Sequence, residues 1–126
     1  MNTYSIGKVS ERVGLSIDTL RYYEQIGLLV DITRNESGHR CYDEDDLKWL
    51  DLLICLRTTG MSISDMQRFA ELLRVGDESV RERIELLQKH RQHMLQMIAE
   101  IETKLAVVDG KIGHYEAKEK RLWNER

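Results

Sequence analysis

The chain has 126 residues, 41% hydrophobic and 33% charged, with a formal net charge of −3 and no proline. That composition fits one helix-rich domain, or a small domain with an appendage, and excludes any membrane span, since no apolar run approaches the roughly 18 residues required. Two cysteines, Cys41 and Cys55, exclude a four-thiolate zinc site, and a disulfide scaffold is not expected in the reducing compartment that a chain without a signal peptide implies.

Ser5 is placed to cap a first helix over IGKVSERV, and Gly14 to end it. Ser16 then caps a second helix from about Ile17 to Ile26, with Gly27 as its stop. Ile6, Val9, Val13, Leu15, Leu20 and Tyr23 supply one inward-facing apolar set. Two short helices joined by a turn containing glycine have the layout of a helix-turn-helix, although helical hairpins in other folds share it. Tyr22 and Tyr23 are adjacent, hence about 100° apart on the helix, so both cannot face one core. Tyr23 is expected inside, with Tyr22 and Arg21 in water.

In LLVDITRNESGHRCY, Val30 and Ile32 alternate with polar residues, NESG is a turn, and His39–Tyr42 reads as a returning strand. A hairpin after a helix-turn-helix is a wing, here with Arg34 and Arg40 flanking its turn and Tyr42 at its end. A third helix is expected from about Asp43 to Thr59, with DEDD at its positive end. Leu47, Trp49, Leu50, Leu53, Ile54 and Leu56 form its buried side. Ser62 or Ser64 caps a fourth helix to about Val75, contributing Ile63, Met66, Phe69, Leu72 and Leu73 to the core.

From Val80 the positions Ile84, Leu87, Arg91, Met94, Ile98, Ile101, Leu105, Val108, Ile112 and Tyr115 follow in steps of four and three. A 3.5-residue period held this long is a coiled-coil seam, which requires a partner helix. Homodimerisation through Ile84, Leu87, Met94, Ile98, Ile101, Leu105, Val108 and Ile112 is the economical partner, with Arg91 setting register. The alternative is a helix folded back on its own domain. Gly110 and Gly113 mark where the helix could fray or bend. The domain division expected is 1–76 for the winged part and 77–126 for the dimerisation helix and tail.

A recognition helix places its N-terminal residues against base edges in the major groove. Ser16 and Thr19 stand there, short enough for close backbone approach. Arg21 is a donor to guanine or phosphate through its two-pronged guanidinium, and Tyr22 offers its hydroxyl to phosphate. The segments are unevenly charged: residues 1–42 carry five basic and five acidic side chains, 43–76 four and seven, 77–126 ten of each. With no basic tail or stripe, DNA contact must come from these few placed residues.

The run YSIGKVSERVGLSIDTLRYYEQIGLL, then SGHRCY, a helix and TTGMSISDM, resembles the MerR family of bacterial transcription regulators over residues 4 to about 75. The resemblance implies a mainly α fold, a winged helix-turn-helix homodimer whose long helices pair antiparallel. It implies binding to a pseudo-palindrome in a promoter with an overlong spacer, which is kinked and untwisted for RNA polymerase. Matched by position, Arg21 and Tyr22 belong to the recognition helix, Arg40 and Tyr42 to the wing, and Arg57 to a site that meets the DNA backbone. The family often has proline after GLL; here VDIT follows, which leaves the path into the wing open.

The chain resembles the branch of that family without a separate effector domain. No metal or other cofactor is expected: His90 and His93 lie i, i+3 on a charged helix and read as solvated. On a helical wheel Cys55 falls opposite the leucine side of the third helix, near Lys48, Asp51 and Thr59. That position suits either contact with the partner's long helix or a reactive thiol. The CLRTTGM context is similar to the thiol-dependent, aldehyde- or nitrosative-stress-responsive members. Cys41 in the wing is a weaker candidate. No nucleophile–base pair supports an enzyme. With neither a basic start nor an apolar block at the N-terminus, a cytoplasmic location is expected. The competing class is a DNA-bending architectural or excisionase-like protein that senses nothing.

Overall fold

The computed structural model describes residues 2–125. In chain order the elements are α1 (Ile6–Val13), α2 (Ile17–Gln25), β1 (Thr33–Arg34), β2 (Arg40–Cys41), α3 (Glu44–Thr58), α4 (Ile63–Val75), a 3₁₀ turn (Asp77–Ser79) and α5 (Val80–Asn124). The chain divides into two compact units, one ending at Leu87 and the other starting at Gln88.

Capping residues set the helix limits in the first unit. Ser5 Oγ accepts from the Lys8 N–H at α1, and Gly14 closes that helix at φ 78°, a left-handed conformation that costs glycine little. Asp43 and Asp46 form a reciprocal capping box at α3, which satisfies two of the helix's orphan donors. Burial is the largest influence on the Asp46 carboxyl and pushes its pKa up to about 6. Ser62, not Ser64, caps α4.

Val9, Leu20, Tyr23, Leu28, Leu29, Tyr42, Leu47, Leu50, Leu53, Leu56, Met61 and Met66 make one core. The α3 leucines recur every third residue, so their stripe turns around the helix by about 60° per step and meets α1 as well as α4. Trp49 stacks on Phe69 of α4 with centroids 5.4 Å apart. Ile63 does not join this core as expected. It is the first residue of α4 and stands 49% exposed.

The segment joining α2 to the wing is irregular, and its carbonyls have no ladder to bond with. Side chains from α3 and α4 supply the donors. Gln67 Nε2 donates to Ile26 O at 2.8 Å, Trp49 Nε1 to Leu28 O at 2.6 Å, and Arg74 Nη2 to the Gly27 and Leu29 carbonyls at 3.1 and 3.0 Å. Buried carbonyls left unpaired would each cost about 1–3 kcal/mol. The VDIT path is thereby resolved. It turns at Asp31, whose φ is 50°, a left-handed position that aspartate tolerates better than most side chains.

The wing is a two-stranded antiparallel ladder pairing Thr33 with Cys41 and Arg34 with Arg40. So short a ladder is marginal alone. It is extended by a bridge from Tyr42 back to Tyr4, with N···O distances of 2.7 and 2.9 Å. The Tyr4 hydroxyl donates to Glu44 at 2.5 Å, and this bond raises the phenol's pKa.

After α4, Ser79 is buried. Its hydroxyl reaches the Leu72 and Gly76 carbonyls, while Arg83 donates to Ser79 Oγ and Gly76 O. Leu86 and Leu87, on the first turns of α5, pack against the first unit's core. Leu87 is thus engaged within its own chain, because the compact unit extends eleven residues beyond the expected boundary at Gly76.

The second unit is the continuation of α5. At 45 residues this helix is roughly 67 Å long at 1.5 Å per residue. Gly110 and Gly113 neither end nor interrupt it. Each costs about 1 kcal/mol relative to alanine, which cooperative propagation through a long helix absorbs. Every residue over 101–125 is exposed. The seam positions Ile98, Ile101, Leu105, Val108 and Ile112 are each about half exposed or more.

Candidate nucleic-acid interface

Ser16 starts α2 with extended backbone, and its Oγ accepts the Thr19 N–H at 3.0 Å. The same hydroxyl donates to Thr19 Oγ1 at 2.8 Å. The two short side chains expected at DNA are therefore bonded to each other and define the helix start, a cap of about 1 kcal/mol. Leu20 and Tyr23 point inward, whereas Arg21 and Tyr22 are exposed. Among the described residues the Arg21 guanidinium has neither a hydrogen-bond nor an ion-pair partner. A cation left without a partner on the outer face of a short helix is available to an external acceptor.

Arg57, near the end of α3, is exposed and lies 5.9 Å from the centre of the Tyr23 ring. This cation–π contact holds a second guanidinium, without a carboxylate partner among the described residues, beside α2.

The wing is more committed. Asn35 Oδ1 accepts from Ser37 and His39 N–H groups at 2.9 and 3.0 Å, shaping the turn that Gly38 completes at φ 80°. Arg34 Nη2 donates to Glu24 Oε1 at 3.0 Å, and its Nη1 to Gly38 O at 3.0 Å. Arg40 Nε donates to the other oxygen of Glu24 at 2.5 Å. One carboxylate on α2 thus grips both wing arginines.

Tyr42 requires correction. Expected to touch DNA, it is fully buried, and burial raises its pKa. The bridge to Tyr4 turns its ring into the core, where its hydroxyl has no partner among the described residues. Tyr42→Phe is therefore expected to leave duplex affinity unchanged and to raise stability by up to about 1 kcal/mol, since an unbonded hydroxyl is removed. Thermal melting paired with an anisotropy titration checks this; weaker duplex binding would return Tyr42 to the interface.

Cys55 is exposed and unbridged, off the leucine stripe. Its thiol makes no hydrogen bond among the described residues. Its carbonyl accepts from Thr59 N, Thr58 Oγ1 and Thr59 Oγ1 at 3.1, 3.2 and 2.6 Å, closing α3. Cys41 is half-buried. No group of three or more His, Cys, Asp or Glu side chains among the described residues is placed to hold a metal ion. His90, expected in solvent, is 8% exposed.

Glu24 is the residue that sequence reasoning passed over. It ends the TLRYYE run of α2, but its partners are ten and sixteen positions away, and no local pattern links them.

Two helices with an outward-facing second helix, followed by a hairpin, define a winged helix-turn-helix of the DNA-binding class. Residues 4–73 match the MerR HTH family of regulatory proteins. The chain belongs to that family of DNA-binding transcription regulators, and it is not an enzyme. It is 40% identical over 114 residues to an uncharacterised HTH-type transcriptional regulator of Haemophilus influenzae, covering 90% of this chain and 84% of that one. Among solved structures it resembles HiNmlR, a MerR family regulator lacking the sensor domain, bound to promoter DNA. The identity is 39%, the TM-score 0.84, and 91% of each chain is covered. A MerR family regulator from Bacillus thuringiensis is 34% identical with a TM-score of 0.80, over 89% of this chain and 98% of that one. No helix among the described residues is long and apolar enough to cross a membrane.

Proposed function

We propose that the protein acts as a homodimer paired through antiparallel α5 helices, binding a pseudo-palindromic promoter element and distorting its spacer for RNA polymerase. The observation that carries this reading is Arg21, exposed on α2 next to Tyr22 and without a partner among the described residues, with Arg57 held at Tyr23 of the same helix. Ser16 and Thr19 support the helix start, and Arg40 contributes from the wing. Pairing is supported by the apolar seam that α5 exposes from Ile98 to Ile112. A soluble chain rarely leaves so continuous an apolar surface in water. HiNmlR, similar over nearly the whole chain, has been captured on promoter DNA.

Cys55 is the switch in this reading: an electrophile such as an aldehyde, or an oxidant, modifies its exposed thiol and changes transcription. One observation favours the rival reading of an architectural, excisionase-like protein with no effector. The Cys55 thiol has no hydrogen bond to a basic side chain among the described residues, and reactive thiols ordinarily sit beside a positive charge. Promoter footprinting and in vitro transcription, with and without aldehyde, separate the two. Cys55→Ala is expected to keep promoter affinity and lose the response. A wild-type protein indifferent to both aldehyde and oxidant would establish the architectural reading.

A further inference from the structure

Arg34 and Arg40 are directly opposed in the wing ladder. Like charges in that relation destabilise a strand pair, and this one has only two residues on each strand. Glu24, from α2, places one carboxylate oxygen on each guanidinium, at 3.0 and 2.5 Å. The cluster is partly shielded, with the Arg40 side chain 20% exposed and Glu24 29%. Arg40 spends only its Nε on this contact; its two terminal amino groups have no partner among the described residues. Arg34 is more fully committed, to Glu24 and to the turn carbonyl of Gly38.

We infer that Glu24 is a positioning residue for DNA binding: it cancels the repulsion between the wing arginines, fastens the wing to α2, and aims the free amino groups of Arg40 at a phosphate. This rests on the reading of α2 and the wing as the DNA-contacting surface. The attraction of an acidic side chain here is counter-intuitive. By charge alone a carboxylate among DNA-binding arginines weakens association, so removing it should tighten binding. Prepaying the order of a two-pronged donor has the opposite effect, because less freedom is lost when phosphate arrives.

The sign of one substitution decides between these. The probe is the duplex that wild-type protein enriches from a random pool. Glu24→Gln is expected to bind it about tenfold more weakly, a coupling within the range for groups in direct contact. The dependence of log K on log salt should flatten by about one phosphate contact per protomer, hence about two for the dimer. In an Arg40→Gln background, Glu24→Gln should have little further effect on affinity, and this double variant also answers the question if the single variant proves too unstable to titrate. Equal or tighter binding by Glu24→Gln with an unchanged salt slope would overturn the inference, as would full additivity with Arg40→Gln. Failure of the wild type to enrich any duplex would instead overturn the underlying DNA-binding surface, and the inference with it.

Discussion

Ile98→Asp is expected to leave a monomer. Ile98 lies in the middle of the α5 seam and is half exposed in the single chain. Burying the half that is still exposed contributes about 1 kcal/mol, and a symmetric dimer loses it twice. Two carboxylates then enter a dry seam, each costing several kcal/mol when unpaired. The total exceeds about 6 kcal/mol, and at 1.4 kcal/mol per decade this is more than four decades in the dimer constant. Within one chain the same position is a solvent-facing helix site, where isoleucine and aspartate differ by only roughly a few tenths of a kcal/mol in helix propensity. Circular dichroism should therefore still report a helical protein while sedimentation reports half the mass. Promoter affinity should fall with it, because two linked heads gain roughly 10²–10⁴ over one. A helical Ile98→Asp protein that remained dimeric would remove the seam from the interface.

Arg21→Ala carries the second largest effect, a loss of about 1–3 kcal/mol in promoter affinity if the guanidinium reads guanine. The folded protein should be nearly indifferent, since Arg21 makes no bond among the described residues that alanine would break. Binding to promoter and to random duplex then separates the two chemistries left open for this arginine. Loss confined to the promoter marks base readout, and equal loss on both marks a phosphate contact. Unchanged affinity on both duplexes would show that the outer face of α2 is not the recognition surface.

Much of this was readable in the chain because it depends on neighbours in sequence. Ser5 and Ser16 cap where their residue types imply, and the split between buried Tyr23 and exposed Tyr22 follows from helical geometry. The exposed place of Cys55 followed from the same wheel. What could not be read depends on pairings across the chain. The burial of Tyr42 is decided by Tyr4, thirty-eight positions earlier, and a two-residue strand is too short to show an alternating pattern. The donors that hold the α2–wing connection come from Trp49, Gln67 and Arg74, none of which differs in sequence from an ordinary helix residue. Glu24 is the same case: as a letter it is one more surface acid, and its partners become visible only when the wing folds against α2. The error at Ile63 has a local cause, because the first turn of a helix can leave the stripe that its later turns bury.

Sedimentation of the intact protein, alone and with the duplex it enriches from a random pool at low salt, tests the central claim most directly. The account predicts a dimer in the low micromolar range and one dimer on each inverted-repeat duplex. A monomer that sediments unchanged beside double-stranded DNA would contradict it.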